Sequence, residues 1–340
     1  MTETAPATVS LGSSAEPLDR CYDLAMLDLD GVVYVGPDAV HGAPEHVATA
    51  REAGMRVAFI TNNAARTPAT VAEQLQGLGV QATADDVVTS AQAAARLLEE
   101  RLDPGARVLV LGAEGLSQAV AEAGLVPVGV EADAEAVVTG YGPDVLWRHI
   151  MRAATRIRDG LWWVACNTDL TIPTTYGEAP GHGVLVETLR RFSGVDPEVA
   201  GKPARPLFDE TVRRCGGDRP LMVGDRLDTD IEGAHAAEVD SLLVLTGVTG
   251  LAELVAAGPR LRPTYVSTDL AGLDRPHTAP EVSDDVVSLG GWTARVADGS
   301  LEVDGDGEAD DWWRVTAVAA WRHLDDTGTP VRTDAVTVPG

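Results

Sequence analysis

Residues 22–31 read Tyr-Asp-Leu-Ala-Met-Leu-Asp-Leu-Asp-Gly, an apolar run that closes on two carboxylates, Asp28 and Asp30, followed by Gly31. A short run of this kind predicts a strand over 22–29 buried on both faces, as in a parallel sheet. Open parallel sheets bind ligands beyond the C-terminal ends of their strands. The run therefore delivers paired acids to the place where a site would form. Outward from it, an amphipathic stretch over 43–53 stops at Gly54 and a second apolar run follows over 56–60. Strand, helix and strand make one βαβ unit.

The alternation continues. Thr67-Pro68 offers a helix cap and a proline at the first helical position. Apolar runs over 107–111, 125–130, 136–139 and 161–166, with helical patterns between them, predict a second α/β unit inserted over 86–189. Runs over 221–223 and 241–245 return to the first sheet. The expected architecture is α/β: a doubly wound parallel-sheet core over 21–85 and 190–275, the insertion, and a small α+β appendage over 278–340 beginning at Thr278-Ala-Pro. In the appendage, Asp298-Gly299 predicts a hairpin turn. Trp312, Trp313, Val318 and Trp321 would give a helix over 310–324 an aromatic face that has to be buried. Residues 1–20 read as a flexible tail.

Composition narrows the partners. Acidic residues outnumber basic ones 52 to 26, for a net charge of −26, and such a field repels nucleic acid and anionic membrane surfaces. It also opposes a phosphorylated substrate, so a site for one needs a local cation. Cys21, Cys166 and Cys215 are too few and too widely spaced for a disulfide framework or a zinc knuckle. The first twenty residues lack the basic start and apolar core of a leader, and no stretch approaches the roughly 18–20 apolar residues of a membrane span. A cytoplasmic protein is expected, and self-association into a homo-oligomer is left open.

Four segments carry chemistry. A carboxylate is a competent nucleophile toward phosphorus when a cation neutralises the phosphoryl oxygens, and a neighbouring acid can protonate the departing alkoxide. That assigns attack to Asp28 and proton transfer to Asp30. By itself Asp-x-Asp-Gly is more often a solvated turn, as Asp304-Gly-Asp306-Gly is expected to be. Thr61-Asn62-Asn63, at the end of the second predicted strand, supplies a hydroxyl, amides and backbone N–H groups suited to phosphate. Lys202, in Gly201-Lys202-Pro203, is the sole lysine of the chain. Pro203 holds it out of helical geometry on a loop, where a compact ammonium can reach a phosphoryl oxygen. Gly224-Asp225-Arg-Leu-Asp-Thr-Asp230 follows the apolar run 221–223 and offers hard oxygen ligands suited to Mg2+. Asp225 is the better direct ligand, with Asp28 and the backbone carbonyl of Asp30. Asp230 also fits a first-turn acid that offsets a helix dipole.

Taken in order, these segments resemble the four motifs of the haloacid dehalogenase (HAD) superfamily. The long gap between the second and third resembles its subfamily IIA, the group of 4-nitrophenylphosphatase-like, phosphoglycolate and pyridoxal-phosphate phosphatases. The resemblance spans about residues 21–270. It implies a Rossmannoid core with an inserted C2-type α/β cap, Asp28 as nucleophile, and Asp30 as general acid/base. It further implies Thr61 and Asn62 as phosphate ligands, Lys202 as charge stabiliser, Asp225 on magnesium and Asp230 in support. In the cap it implies substrate-facing loops carrying Asn167, Asp169 and His182. The region after 278 is similar to the extra segment of glycerol-3-phosphate phosphatases of this subfamily.

The expected function is Mg2+-dependent hydrolysis of a small phosphomonoester through an aspartyl-phosphate, with glycerol 3-phosphate the leading substrate. Phosphoglycolate, a nucleotide monophosphate or pyridoxal phosphate stand behind it. A phosphomutase or phosphotransferase is the rival enzyme, and a non-catalytic binding protein using the aromatic helix is the rival from another class.

Overall fold

The computed structural model describes residues 10–174 and 177–339. Its centre is a six-stranded, all-parallel sheet in the order Tyr265–Ser267, Asp240–Val244, Pro220–Gly224, Leu24–Leu27, Arg56–Thr61 and Val87–Thr89. Alternate residues of each strand enter opposite apolar layers. Leu24, Met26, Ala58, Ile60 and Met222 face one, and Ala25, Leu27, Val57, Phe59, Leu221 and Val223 face the other. This two-sided burial is why the strands read as continuous apolar runs rather than as alternation. Chain order reverses at Leu24–Leu27, which lies between Arg56–Thr61 and Pro220–Gly224, so the crevice of a doubly wound sheet opens beside its end.

The inserted unit is a second parallel sheet in the order Glu198–Val199, Trp162–Ala165, Ala136–Thr139, Arg107–Leu111 and Val126–Val128. Helices Trp147–Arg158 and His182–Ser193 cover one face, packing on Leu109, Val137 and Trp163. Its other face, with Val108, Val138 and Val164, joins the apolar layer of the central sheet through helix Ser90–Arg101. Cap and core thus share one interior.

Three boundaries differ from the sequence reading. Val87–Thr89, assigned to the insertion, is the sixth strand of the central sheet. Glu198–Val199, assigned to the core, is an edge strand of the cap. Both are two or three residues long and are defined by their pairing, not by local pattern. The expected flexible tail does not extend over residues 10–20; its first nine residues lie outside the described ones. Leu11 is buried, Gly12 N donates to Thr264 O at 2.8 Å, and Ser14 forms a bridge with His277.

The appendage is an antiparallel meander of Glu281–Ser283, Val286–Leu289, Trp292–Ala297 and Ser300–Gly305, followed by helix Ala309–Thr327. The hairpin turns at Asp298-Gly299, both with positive φ. Trp312, Trp313, Val318 and Trp321 are all buried, as the aromatic face required. They share a cluster with Leu243, Leu254 and Val266, so the helix seals the side of the central sheet carrying its edge strand. Asp310 locks the contact by accepting from Ser267 Oγ at 2.9 Å and Thr268 N at 2.7 Å. Among the described residues no helix is long and apolar enough to cross a membrane.

Candidate active site

Leu24–Leu27 pairs in register with Pro220–Gly224, Leu27 opposite Val223. Asp28 and Asp225 therefore leave the same edge of the sheet on adjacent strands. Asp230 returns to that edge from the turn Leu227–Ile231, where its carboxylate accepts from Arg226 N at 3.1 Å. Oxygens of Asp28, Asp225 and Asp230 all lie within 4.8 Å of one another. Lys202 enters from the loop that returns from the cap, with Nζ 2.5 Å from Asp28 Oδ1 and 2.7 Å from Asp230 Oδ1. Three segments distant in sequence converge on one pocket.

Close approach imposes the glycine of the first motif. Gly31 has φ +87°, and a Cβ there would lie 2.4 Å from Asp225 Oδ2. A side chain at 31 would push the first motif away from the fourth.

Three carboxylates face one ammonium, leaving two surplus negative charges if all are ionised. Burial, reinforced by the charges of Asp230 and Asp28, pushes the Asp225 carboxyl up to about 8. Asp230 is raised as well, by burial, with Lys202 pulling against it. Burial alone would lower the Lys202 ammonium, but Asp230 and Asp28 outweigh it and hold it above its usual range. The structure is thus short of positive charge at one point. Asp225 Oδ1 is buried there with no hydrogen-bond partner among the described residues, while Oδ2 accepts from Val248 N at 2.7 Å. An orphaned oxygen amid surplus carboxylates fits a hard divalent cation such as Mg2+, held by Asp28 and Asp225 with Asp230 adjacent.

A signed pH effect follows. A carboxyl raised from 3.8 to about 8 on folding stabilises the metal-free protein below its unfolded value, and that contribution disappears as pH rises through the folded one. A cation relieves this loss. Mg2+ should therefore raise the melting temperature more at about pH 8 than at about pH 5.5, and a hundredfold excess over its dissociation constant is itself worth about 2.7 kcal/mol of stability. Scanning calorimetry with and without Mg2+ at both pH values checks it, and an equal or larger gain at the lower pH would count against it.

Asp30, two residues beyond Asp28, is the most exposed of these acids. Crowding by protein nevertheless raises its pKa, with the Arg66 guanidinium pulling it down. Sequence reading missed Arg66. Its side chain donates to Gln74 and reaches Tyr34 Oη at 3.5 Å, beside the short hairpin Tyr34–Val35 and Asp38–Ala39 that follows Asp30. Also missed was the loop at Thr246–Thr249, where Thr246 Oγ1 donates to Gly31 O at 2.5 Å and Thr249 N to Asp225 O at 3.2 Å. The one available signal was a run of small residues directly after an apolar strand.

The remaining expected residues divide. Thr61 is buried at the strand end, its hydroxyl accepting from Asn63 N at 3.1 Å. Asn62 requires a correction, because its side chain is already engaged: Nδ2 donates to Lys202 O at 2.9 Å and Asp169 Oδ1 at 3.0 Å, and Oδ1 accepts from Lys202 N at 2.8 Å. It fixes the lysine loop, and a phosphate contact from Asn62 would have to come from its backbone. The expectation for Asn167 and His182 as substrate-facing residues is likewise corrected. Asn167 is buried and donates to Asn62 O at 2.6 Å, joining cap to core. His182 is not an exposed loop residue but opens helix His182–Ser193, buried, its Nδ1 donating to Asn167 O at 2.8 Å. Burial lowers its pKa to about 4 and keeps it neutral. Of the three cap residues only Asp169 keeps some exposure; burial raises its pKa, with the hydrogen bond from Asn62 and the charges of Lys202 and Arg226 pulling against it.

A sequence profile of haloacid dehalogenase-like hydrolases matches residues 25–126, and a second, HAD-hydrolase-like profile matches 199–273. A D-glycerol 3-phosphate phosphatase of Mycobacterium tuberculosis is 45% identical over 291 residues, 85% of this chain and 80% of the relative. The chain belongs to the haloacid dehalogenase-like hydrolases. A crystal structure of a glycerol phosphate phosphatase from M. tuberculosis in complex with magnesium matches this hydrolase over 94% of both chains, with TM-score 0.82 and 42% identity. A 4-nitrophenylphosphatase from Thermotoga maritima matches over 76% of this chain and 97% of its own, with TM-score 0.70 and 29% identity. Core and cap together account for the family fold, with the parallel sheet and inserted α/β cap expected from the motifs.

Proposed function

We propose that this enzyme is a Mg2+-dependent phosphatase of small phosphomonoesters, with glycerol 3-phosphate as substrate and Asp28 as nucleophile. The observation that carries the reading is the convergence of Asp28, Asp225, Asp230 and Lys202 on one buried pocket. The choice of ester rests on the resemblance to the mycobacterial glycerol 3-phosphate phosphatase.

Asp28 and Asp225 would hold the metal, whose bound charge offsets that of the phosphoryl oxygens and lets an anion approach an anionic site. Lys202 fixes Asp28 Oδ1, so the carboxylate presents its other oxygen to the incoming phosphorus. That oxygen forms a bond to phosphorus as the ester P–O bond breaks. The departing alkoxide takes a proton from Asp30, whose crowded carboxyl is raised toward the protonated form. Asp30, now a carboxylate, takes a proton from water as the water oxygen attacks phosphorus. The bond to Asp28 breaks and inorganic phosphate leaves. Thr61 and the backbone beyond it would donate to the phosphoryl oxygens, and Asp169 would face the organic part. A small polar alcohol suits a cap in which Asn167 is committed to the joint, His182 is buried and Asp169 keeps some exposure.

The test is release of inorganic phosphate from a panel of glycerol 3-phosphate, phosphoglycolate, nucleoside 5′-monophosphates, sugar phosphates and pyridoxal phosphate, with and without Mg2+. The reading expects Mg2+-dependent release, fastest in kcat/KM for glycerol 3-phosphate. Preference for a nucleotide, the activity named for a Bacillus subtilis relative 37% identical over 68% of this chain, would reassign the substrate. Isomerised ester in place of free phosphate would make it a mutase. Asp30→Asn is expected to slow the first step, read as alcohol release in a single turnover, by about 10^2–10^4-fold for esters of basic alcohols and far less for 4-nitrophenyl phosphate, since that leaving group needs little protonation. Uniform loss in that first step across leaving groups would contradict proton donation by Asp30. The charge balance and the reduced-thiol composition favour a cytoplasmic enzyme.

A further inference from the structure

Among the described residues no hydrogen bond or ion pair links the appendage to the reacting groups, yet it completes the support of Asp225 and Asp230. Asp225 is held by the loop at Thr246–Thr249, through Val248 N at 2.7 Å to its carboxylate and Thr249 N at 3.2 Å to its carbonyl. Gly247 passes so close that a Cβ there would lie 2.0 Å from Asp225 Oδ2. A small shift of this loop therefore becomes a shift of the carboxylate. The loop runs directly into helix Leu251–Val255, and five residues cannot satisfy their own terminal carbonyls. Trp321, in the appendage helix, adds a side-chain donor there, its Nε1 giving a hydrogen bond to Leu254 O at 2.7 Å from a fully buried position, beside the longer one from Ala257 N at 3.2 Å. The Arg262 guanidinium lies 5.4 Å from the Trp321 ring centroid, donates to Ala257 O at 3.0 Å, and grips Asp325 at 2.6 and 2.8 Å.

A second observation is independent of the loop. Leu227 and Ile231, which bracket the turn carrying Asp230, belong to the same apolar cluster as Leu254, Val255, Trp312 and Trp321. Both Asp225 and Asp230 thus rest on a core that the appendage closes.

We propose that Trp321 is a positioning residue for the metal site, so that the appendage sets the affinity for Mg2+ by fixing the segment Gly247–Val255 beneath Asp225. The proposal rests on the metal reading above. Partners that orient metal ligands govern affinity, and here the path is a contiguous run of packed and hydrogen-bonded residues.

Trp321→Phe keeps the apolar body and removes the N–H. Calorimetric titration of the substrate-free protein with Mg2+ alone should show a dissociation constant about two- to thirtyfold higher than wild type. At saturating Mg2+, kcat should stay within about twofold. Asp325→Asn, which loosens the Arg262 clamp at the surface, should weaken Mg2+ in the same direction by less, and serves where Trp321→Phe fails to fold. An unchanged Mg2+ dissociation constant in a folded variant with a lowered melting temperature would overturn the proposal and leave the indole a structural role only. Failure of the wild type to bind Mg2+ would instead overturn the metal reading on which it depends.

Discussion

Asp28→Asn is expected to lower turnover by about 10^4-fold or more, the scale seen when a covalent nucleophile is removed. The amide keeps the size and the contact with Lys202 but cannot form an acyl phosphate that water then discharges. The fold should survive, because the substitution reduces the surplus charge of the pocket from two to one. The metal-free variant should therefore melt no lower than metal-free wild type, while its gain from Mg2+ shrinks. Steady-state phosphate release and scanning calorimetry on the same preparation separate the two effects. Phosphate release within about tenfold of wild type would contradict the nucleophile assignment.

Lys202→Met should do comparable damage for a different reason. Lys202 is 3% exposed and is the counter-charge to Asp28 and to a completely buried Asp230. Removing one partner of a buried ion pair costs about 3–5 kcal/mol, because the other charge stays behind uncompensated. The metal-free variant should lose that much unfolding free energy, and Mg2+ should restore part of it. Turnover should fall about 10^2–10^3-fold, the range for loss of one pre-organised charge on a developing anion. Lys202→Arg should not rescue it, because a planar guanidinium is wider than the ammonium and has no room between Asn62, Asp28 and Asp230. Denaturant unfolding and kinetics together check this. Full activity in Lys202→Arg would mean that charge alone, not shape, is what the site requires.

These two residues were legible before any coordinates, and the reason is physical. Asp28 terminates a strand buried on both faces, so its neighbours had to be apolar, and the break in that pattern marked it. Lys202 stood out as a lone lysine ahead of a proline. What the sequence did not disclose was where polar side chains spend their hydrogen bonds. Asn62, Asn167 and His182 have the residue types of ligands, but the amides of Asn62 and Asn167 are consumed in joining cap to core, and His182 is buried with its Nδ1 spent on Asn167 O within the cap. The strands Val87–Thr89 and Glu198–Val199 were misassigned because two or three residues carry no periodicity and their sheet is chosen by distant partners. The docking of residues 10–20 hinges on two buried leucines, Leu11 and Leu18, and a few backbone hydrogen bonds, which composition does not register. The support that the loop at Thr246–Thr249 gives to Asp225 was hidden for the same reason, since its contacts are made by main-chain N–H groups that every residue possesses.

The most direct measurement is an acid quench during turnover of a radiolabelled phosphomonoester with Mg2+, followed by peptide mapping. Label is predicted on the peptide containing Asp28, discharged by hydroxylamine and absent in Asp28→Asn. Steady release of phosphate with no label on that peptide, or with label on another residue, would contradict transfer of the phosphoryl group through this carboxylate.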